Sequence, residues 1–291
     1  MKIGVIGATG FIGKVFCQLA LEAGHEVVGY SRKTRESDDG IEWRQVGGDL
    51  SGLDAVVNFA GESVAQRWTE EKKVQFATSR VDVTGALVEQ ISEMPATERP
   101  KVLVNSSAVG YYGDCGDRKL DEESEKGDGF LSDLCLDWEN AAYEARALGV
   151  RVVIGRVGLV LGAGGAAWEQ MKLAFKLGAG GNLGSGKQWM PWVHVDDVAL
   201  GILYSITNEQ VNGVVNLVSP EPLRNSDFTK QLASQLFRPA LIPAPSFALQ
   251  LVFGEFGKHL LDSYRAYPTS LLDAGYQFSY PTLQSCLEDI I

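Results

Sequence analysis

The chain has 291 residues, of which 45% are hydrophobic and 22% are charged, a composition typical of a globular protein. Its length is enough for one large α/β domain, or for such a domain with a smaller lobe. The formal net charge of −11 disfavours nucleic acid and anionic membranes as partners, and no apolar run approaches the length of a membrane span. The four cysteines and three histidines lack the spacing of disulfides or metal ligands. We therefore expect a cytoplasmic protein with reduced thiols and no bound metal.

The first half of the chain alternates short apolar runs with stretches of helical periodicity. The runs are nearly continuous in Val, Ile and Leu, as expected for strands that are buried on both faces. They are KIGVIG (2–7), HEVVGYS (25–31), DAVVNFAG (54–61), KVLVNSS (101–107) and VRVVIGRVGLVLG (150–162). This alternation predicts an α/β fold with a doubly wound parallel sheet of the Rossmann type.

A glycine-rich turn, GATGFIG (7–13), lies between the first run and the first helical stretch. Gly7 allows a tight turn, Gly10 lets a pyrophosphate approach the backbone, and Gly13 lets the helix pack closely on the sheet. The phosphates of a dinucleotide would then meet free N–H groups at the helix N-terminus. The alternative is a plain strand–helix turn. The predicted cofactor contacts in this turn are Gly7, Thr9, Gly10, Phe11 and Ile12.

The end of the second run indicates which dinucleotide is bound. An NAD site usually has an acid here, which holds the ribose 2′-hydroxyl. This chain has Ser31, Arg32 and Lys33 instead. A guanidinium and a hydroxyl both suit a 2′-phosphate, so Ser31 and Arg32 favour NADP over NAD. The alternative is a solvated basic turn.

After residue 163 the pattern changes. Glycine becomes dense, helical patterns follow around 196–207 and 225–237, and a proline-spaced segment covers 237–247. The tail (271–290) predicts two short helices joined by a turn. We therefore expect a Rossmann domain at 1–163 and mostly a smaller C-terminal substrate lobe at 164–291, with elements of the main sheet returning near 190–220.

Several motifs together resemble the extended short-chain dehydrogenase/reductase superfamily, which includes sugar-nucleotide epimerases. They are GATGFIG, VVNFAGE, VNSSAVGYYG, RVGLVLG and PWVHVDDVALGILYSI, in that order. The sequence is more similar still to an atypical branch often labelled "epimerase family protein". The marks of that branch are AGE followed by RW, SRV with Thr84, DWENAA, GSGKQW and the tail LLDAGYQFSYPTL. The resemblance covers nearly the whole chain.

This resemblance implies further contacts with the cofactor. Phe59, Ala60 and Gly61 would run along the adenosine and ribose, and Arg80 in SRV would point toward the cofactor. Ser106 would sit at the end of the fifth strand, and Val160 would lie near the nicotinamide. The alternative for Arg80 is a salt bridge on the surface of a helix.

The chain departs from the superfamily in its catalytic residues. The superfamily uses a Tyr-x-x-x-Lys pair, in which the lysine lowers the pKa of the tyrosine so that the phenol can act as general acid or base. No tyrosine of this chain is followed by lysine four residues later. In register with DWENAA, the two positions hold Leu131 and Cys135, and the position of the assisting serine holds Ala108, beside Ser107. The catalytic residues are therefore unknown at this stage.

Polar side chains that could line a substrate pocket are Glu62, Ser107, Tyr111 and Gln188. Glu62 could be a base, with its pKa raised if it were buried beside the nicotinamide, and Tyr111 could be a phenol without its lysine. Loop packing explains each of the four equally well. Two functions stay open: an NADP-dependent oxidoreductase or epimerase-like enzyme acting on an unknown small molecule, and a non-catalytic NADP-binding redox sensor or regulatory module.

Overall fold

A computed structural model describes residues 1–33, 35 and 40–291. The strands are β1 (Lys2–Ile6), β2 (Glu26–Ser31), β3 (Ile41–Gln45), β4 (Ala55–Asn58), β5 (Val102–Ala108), β6 (Lys119–Leu120), β7 (Arg151–Val157), β8 (Leu159–Leu161), β9 (Trp189–Met190), β10 (Trp192–His194), β11 (Gly213–Leu217), β12 (Leu223–Arg224) and β13 (Arg265–Ala266). The α-helices are α1 (Phe11–Glu22), α2 (Glu70–Ala77), α3 (Val83–Glu93), α4 (Phe130–Tyr143), α5 (Ala166–Lys176), α6 (Val195–Thr207), α7 (Asn225–Gln235), α8 (Ser246–Phe253), α9 (Phe256–His259), α10 (Thr269–Asp273) and α11 (Leu283–Ile290). A π-helical turn (Thr78–Asp82) joins α2 to α3, and 3-10 turns follow β5 (Val109–Tyr112) and α4 (Glu144–Leu148).

Seven parallel strands form the main sheet, in the order β11-β7-β5-β4-β1-β2-β3. Both of its faces are covered. Val57 of β4 belongs to a core with α1 and α6, whereas the adjacent Val56 belongs to a second core with α3 and α4. Because both faces are buried, the central strands read as continuous apolar runs. The predicted doubly wound Rossmann sheet is confirmed.

The strand order reverses between β1 and β4, where the chain crosses from one half of the sheet to the other. Ligands of open α/β sheets bind beyond the carboxyl ends of the strands at such a switch point. The glycine-rich turn follows β1 and the Phe59–Gly61 segment follows β4. The fold therefore brings these two predicted cofactor segments together.

In and beside the main sheet, the structure differs from the sequence-based prediction at two places. The run at 150–162 is not one strand, because β7 stays in the main sheet whereas β8 leaves it and pairs with β10. The break is at Gly158, where an added Cβ would lie 2.0 Å from the carbonyl oxygen of Pro191. Strand β3 was not among the predicted runs, because this edge strand is largely exposed and its sequence, IEWRQ, is mostly polar.

The later part of the chain contains the expected helices. α6 and α7 correspond to the patterns at 196–207 and 225–237, and α10 and α11 are the two short helices of the tail. Helices α5, α7 and α11 share an apolar core of their own, while β11 returns to the edge of the main sheet. The domain boundary at residue 163 stays a prediction. Among the described helices, none combines the length and the apolar character that a membrane crossing requires.

Candidate dinucleotide and substrate site

The glycine-rich turn has the backbone geometry that its sequence predicts. Gly7 has a φ of +82°, which favours glycine, and an added Cβ would lie 3.0 Å from the backbone of Phe59. At Gly13 an added Cβ would lie 2.2 Å from the carbonyl oxygen of Gly7, so only glycine lets α1 start this close to the turn. Gly10 is exposed and bonds from its N–H to the Gly7 carbonyl over 2.9 Å.

The N-terminus of α1 is suited to an anion. Within the described residues, no side chain caps this helix and no acid lies in its first turn. The N–H groups of its first turn therefore keep their capacity to donate, and the helix dipole favours negative charge here. Thr9 is exposed beside it, and Phe11 and Ile12 are half-buried. These residues fit the pyrophosphate of a dinucleotide.

The basic segment after β2 lies at the same edge of the sheet. Ser31 is buried and its hydroxyl oxygen accepts a bond from the Lys33 N–H over 3.2 Å, whereas Arg32 is exposed. A cavity of about 390 Å³ opens beside the glycine-rich turn, and Thr9, Lys14 and Arg35 are among its lining residues. The sequence analysis missed Lys14 and Arg35, although Arg35 belongs to the same basic segment.

Trp43 of β3 forms another part of that cavity wall. The Arg35 guanidinium lies 4.9 Å from the centre of the Trp43 ring, within the range of a cation–π contact. A positive group is thus held next to the glycine-rich turn. This arrangement agrees with the prediction of a cofactor that carries a 2′-phosphate.

A buried amide fixes the segment after β4. Asn58 donates to the Thr84 hydroxyl over 2.9 Å and to the Asn105 side-chain oxygen over 2.7 Å. Its own oxygen accepts the N–H of Ala60 over 3.0 Å. The path of Phe59, Ala60 and Gly61 is therefore set by side chains of β4, α3 and β5. Sequence analysis missed Asn58 and Asn105, which look like ordinary members of strand runs.

Arg80 lies in the π-helical turn and faces this segment. It donates to the carbonyl of Glu62 over 2.8 Å, and an added Cβ on Gly61 would lie 3.1 Å from its guanidinium carbon. The guanidinium is also 5.1 Å from the centre of the Trp138 ring. Burial lowers the pKa of Arg80 from its ordinary value. No carboxylate of the described residues forms an ion pair with it, so the structure does not show the alternative of a surface salt bridge.

The end of β5 carries a buried polar network. The Ser107 hydroxyl donates to Glu139 over 2.6 Å, and Arg156 binds both oxygens of Glu139 over 2.9 and 2.8 Å. Arg156 also donates to the Tyr112 hydroxyl over 3.0 Å, and its guanidinium lies 3.4 Å from the centre of the Tyr111 ring. The structure thus brings Ser107 and Tyr111 together through Arg156. Sequence analysis missed Glu139 and Arg156.

The two positions of the superfamily's Tyr-x-x-x-Lys pair fall on α4, beside the same strand end. Cys135 is buried and its thiol contacts the Ala108 carbonyl over 3.7 Å. Burial, and then the Glu139 carboxylate, raise the pKa of the Cys135 thiol to about 11, so it is uncharged near neutral pH. Leu131 packs against Gly110, where an added Cβ would lie 3.4 Å from the leucine Cβ.

The other predicted site residues are more dispersed. Ser106 is buried beside Ser107, and Val160 is half-buried in β8, paired with β10. Glu62 is exposed, so the burial that would raise its pKa as a base is not present. Only its backbone is held: its N–H donates to Ser79 over 3.0 Å and its carbonyl accepts from Arg80.

Gln188 lines a different cavity, of about 650 Å³, which is formed mostly by the later part of the chain and also by Asp114 and Asp117. Its side-chain amide donates to the Leu183 carbonyl over 3.0 Å, which is a loop-packing role. Lys187, Arg224 and Ser263 share this cavity. The structure does not show Gln188 in contact with Ser107 or Tyr111.

Comparison with known proteins identifies the family of this fold and site. Residues 3–217 match the NAD dependent epimerase/dehydratase family. The chain belongs to that family. Residues 244–290 match the domain of unknown function DUF1731. The resemblance that the motifs indicated is therefore confirmed.

Several relatives that are similar to this chain along its whole length are named as epimerase family proteins. Mouse epimerase family protein SDR39U1 is 38% identical over 299 residues, which span all of both chains. Epimerase family protein YfhF of Bacillus subtilis is 34% identical over 300 residues, covering 100% of this chain and 98% of that protein. The Arabidopsis thaliana protein named "Epimerase family protein SDR39U1 homolog, chloroplastic" is 36% identical over 305 residues, covering 100% of this chain and 87% of its own length.

Solved structures of the family share the fold. The crystal structure of human epimerase family protein SDR39U1 (isoform 2) with NADPH has a TM-score of 0.92 and 36% identity, and the match covers 100% of this chain and 99% of that one. A nucleoside-diphosphate sugar epimerase from Corynebacterium glutamicum has a TM-score of 0.81 and 31% identity, covering 99% of this chain and 57% of that one.

Proposed function

We propose that the protein binds NADP(H) at the switch point of the sheet and acts as an NADP-dependent oxidoreductase or epimerase-like enzyme on a small molecule. The main observation in favour of this cofactor is the uncapped N-terminus of α1 beside a cavity that is lined by Lys14 and Arg35. The similar human protein crystallised with NADPH supports the same choice. When bound, NADPH supplies a hydride. Gly7, Gly10 and the first turn of α1 would hold its pyrophosphate, and Arg80 would fix the Gly61–Glu62 backbone alongside it.

The Ser107–Glu139–Arg156 network supports an enzymatic function. Arg156 neutralises the Glu139 carboxylate, so that carboxylate is held in place as an acceptor for the Ser107 hydroxyl proton. The lone pairs of Ser107 are then left to accept a bond from a substrate hydroxyl or amine. Tyr111 offers a phenol from the adjoining turn. Together they would orient a substrate at the end of β5 without a Tyr-x-x-x-Lys pair.

The second candidate function is a non-catalytic NADP-binding redox sensor or regulatory module. The observation in its favour is the pair of positions on α4, where Leu131 has no ionisable group and Cys135 is a buried, uncharged thiol. Neither can replace the phenol or the ammonium of the superfamily's pair. Turnover of a metabolite distinguishes the enzymatic function from the regulatory one.

The preference for NADPH can be tested at the end of β2. We expect wild type to bind NADPH more tightly than NADH, and Arg32→Ala or Arg35→Ala to weaken only NADPH binding. A charge-assisted bond to phosphate contributes about 1.5–3 kcal/mol, or roughly 10- to 150-fold in affinity. Isothermal titration calorimetry measures both dinucleotides. Arg238→Ala is the matched control, since the guanidinium of this exposed arginine donates only to the Phe237 carbonyl in the described structure. Equal affinities of wild type for NADPH and NADH would contradict the assignment.

Turnover tests the role of Ser107. We expect negligible turnover of ordinary UDP-sugars, because general acid/base catalysis by the missing pair typically contributes about 10² to 10⁴ in rate. In metabolite extracts, NADPH oxidation, NADP⁺ reduction and product isomers are followed for wild type and Ser107→Ala. The loss of one hydrogen bond to the substrate should slow turnover by about 10- to 100-fold.

The control for this test is Ser205→Ala, which removes another buried hydroxyl that donates to a carbonyl within α6 over 2.7 Å. A Glu62→Gln variant measures whether the exposed carboxylate serves as a base. Full activity in Ser107→Ala would remove Ser107 from the mechanism. If no extract gives turnover while a partner protein binds only the NADPH-loaded form, the regulatory function replaces the enzymatic one.

A further inference from the structure

Four highly exposed apolar side chains of the later part of the chain lie close together in sequence. Leu241, Ile242, Phe247 and Leu251 are 85%, 71%, 72% and 74% exposed. Phe247 and Leu251 are four residues apart on α8 and share one face of that helix. Proteins rarely expose such groups of apolar residues without a ligand or partner. We call these four residues the apolar strip.

The apolar strip is continuous with the 650 Å³ cavity. Pro243, Pro245 and Ser246, which lie between its members in sequence, are themselves lining residues of that cavity. The wall is held by backbone bonds: the Ala244 N–H donates to Asn182 over 2.8 Å, and the Gly184 N–H donates to Ala244 over 2.8 Å. An added Cβ on Gly181 would lie 1.9 Å from the Ile242 carbonyl oxygen. One segment therefore forms both the cavity wall and the apolar strip.

The cavity has a polar lining that mixes donors and acceptors. Carboxylates (Asp114, Asp117), hydroxyls (Ser185, Ser263) and the Lys187 ammonium all line it. Asp117 is already bound by Trp189 and Arg224, over 2.8 and 2.9 Å. The Lys187 ammonium has no bond or ion pair to any described residue. Because both signs of charge and neutral hydroxyls are present, the lining suits an uncharged, polyhydroxylated group better than a strongly charged one.

The far end of the apolar strip approaches the segment that follows β4. Arg67 donates to the Leu251 carbonyl over 3.2 Å, and Lys73 forms an ion pair with Glu255 over 2.8 Å. The ring centre of Phe256, in α9, is 5.7 Å from that of Trp68. The strip thus leads from the cavity toward the half of the molecule that carries the cofactor segments.

We propose that the substrate of this protein is an amphiphile, with a polyhydroxylated head group in the cavity and an apolar chain on the apolar strip. This proposal rests on the enzymatic function proposed above. The gain in affinity comes from covering the four exposed side chains, since apolar surface removed from water is stabilising in proportion to its area. A polar molecule without an apolar chain would leave the strip in water.

The test compares n-octyl β-D-glucopyranoside, below its micelle concentration, with methyl β-D-glucopyranoside by calorimetry, with and without NADPH. We expect the octyl compound to bind wild type at least tenfold more tightly. Phe247→Ser/Leu251→Ser should remove this difference. Val46→Ser/Leu272→Ser should keep it, because these residues are also exposed, at 43% and 44%, but lie just after β3 and on α10. Lys187→Ala should weaken both glucosides.

Three results would overturn the proposal. The first is equal binding of the two glucosides by wild type, and the second is an apolar-strip variant that still binds the octyl compound more tightly. The third is binding of the protein to phosphatidylcholine vesicles without binding of monomeric octyl glucoside. A wild-type dimer that becomes a monomer in the apolar-strip variant, seen by sedimentation, would assign the strip to a second copy of the chain and overturn it as well. NADPH titration of every variant is the separate readout of the proposed function. If NADPH did not bind wild type, the proposed cofactor site would be contradicted, whereas the comparison of the two glucosides would still test the amphiphile.

Discussion

We expect Gly10→Val to abolish NADPH binding and to leave the protein folded. The backbone of Gly10 is extended, with φ −74° and ψ 173°, so other residues can adopt it. An added Cβ meets only the Gly7 carbonyl oxygen within 4 Å, at 3.2 Å, which requires a small shift. On the side that faces away from the turn, the branched valine side chain would fill the space that a pyrophosphate needs at the start of α1. The substitution therefore acts on the ligand and hardly on the fold.

Thermal unfolding with and without NADPH measures whether Gly10→Val has lost NADPH binding. A ligand at 100 times its Kd stabilises the folded state by about 2.7 kcal/mol, so NADPH should raise the Tm of wild type by several degrees and leave that of Gly10→Val unchanged. Gly13→Val is the contrasting variant, because its Cβ would lie 2.2 Å from the Gly7 carbonyl oxygen and should lower the Tm without any ligand. An equal rise with NADPH in wild type and Gly10→Val would place the cofactor elsewhere.

The cofactor half of the molecule was predictable because its signals are local. Gly7 and Gly13 each meet a backbone requirement of the turn, Gly10 leaves room for a pyrophosphate, and the apolar runs follow from burial of the sheet on both faces. The break between β7 and β8 was not predictable. Gly158 stands in an apolar run, and the group that requires a glycine there, the Pro191 carbonyl, comes from a segment more than 30 residues away. Single-sequence patterns do not show such contacts.

The interior of the candidate site was less predictable for the same reason. Arg156 was visible as a charged residue in the middle of an apolar run, and a charge buried in a strand requires a partner. Its partner, Glu139, lies on a helix that contains two other acids, Asp133 and Asp137. Only the packing of α4 on β5 and β7 selects Glu139. Conversely, Glu62 follows a strand end as a buried base would, yet the side chains of Ser79 and Arg80 bind only its backbone, and its own side chain lies in solvent.

Glu139→Leu should destabilise the protein by about 3–5 kcal/mol, because it leaves the Arg156 guanidinium buried without its carboxylate. The two side chains are only 3% and 4% exposed, so water cannot replace the lost partner. The Ser107 hydroxyl also loses its acceptor. Urea unfolding followed by tryptophan fluorescence measures the change in the free energy of unfolding.

The double variant Glu139→Leu/Arg156→Met separates the charge effect from lost packing. Replacing both members of a buried ion pair by apolar residues is often neutral, so most of the lost stability should return. Tyr112 would keep one partner, because its hydroxyl also donates to Asn216 over 2.8 Å. Ser107→Ala is the milder control, which removes a single hydrogen bond and should cost about 1–3 kcal/mol. If the double variant were as unstable as Glu139→Leu alone, the destabilisation would come from lost packing around α4 and not from an uncompensated charge.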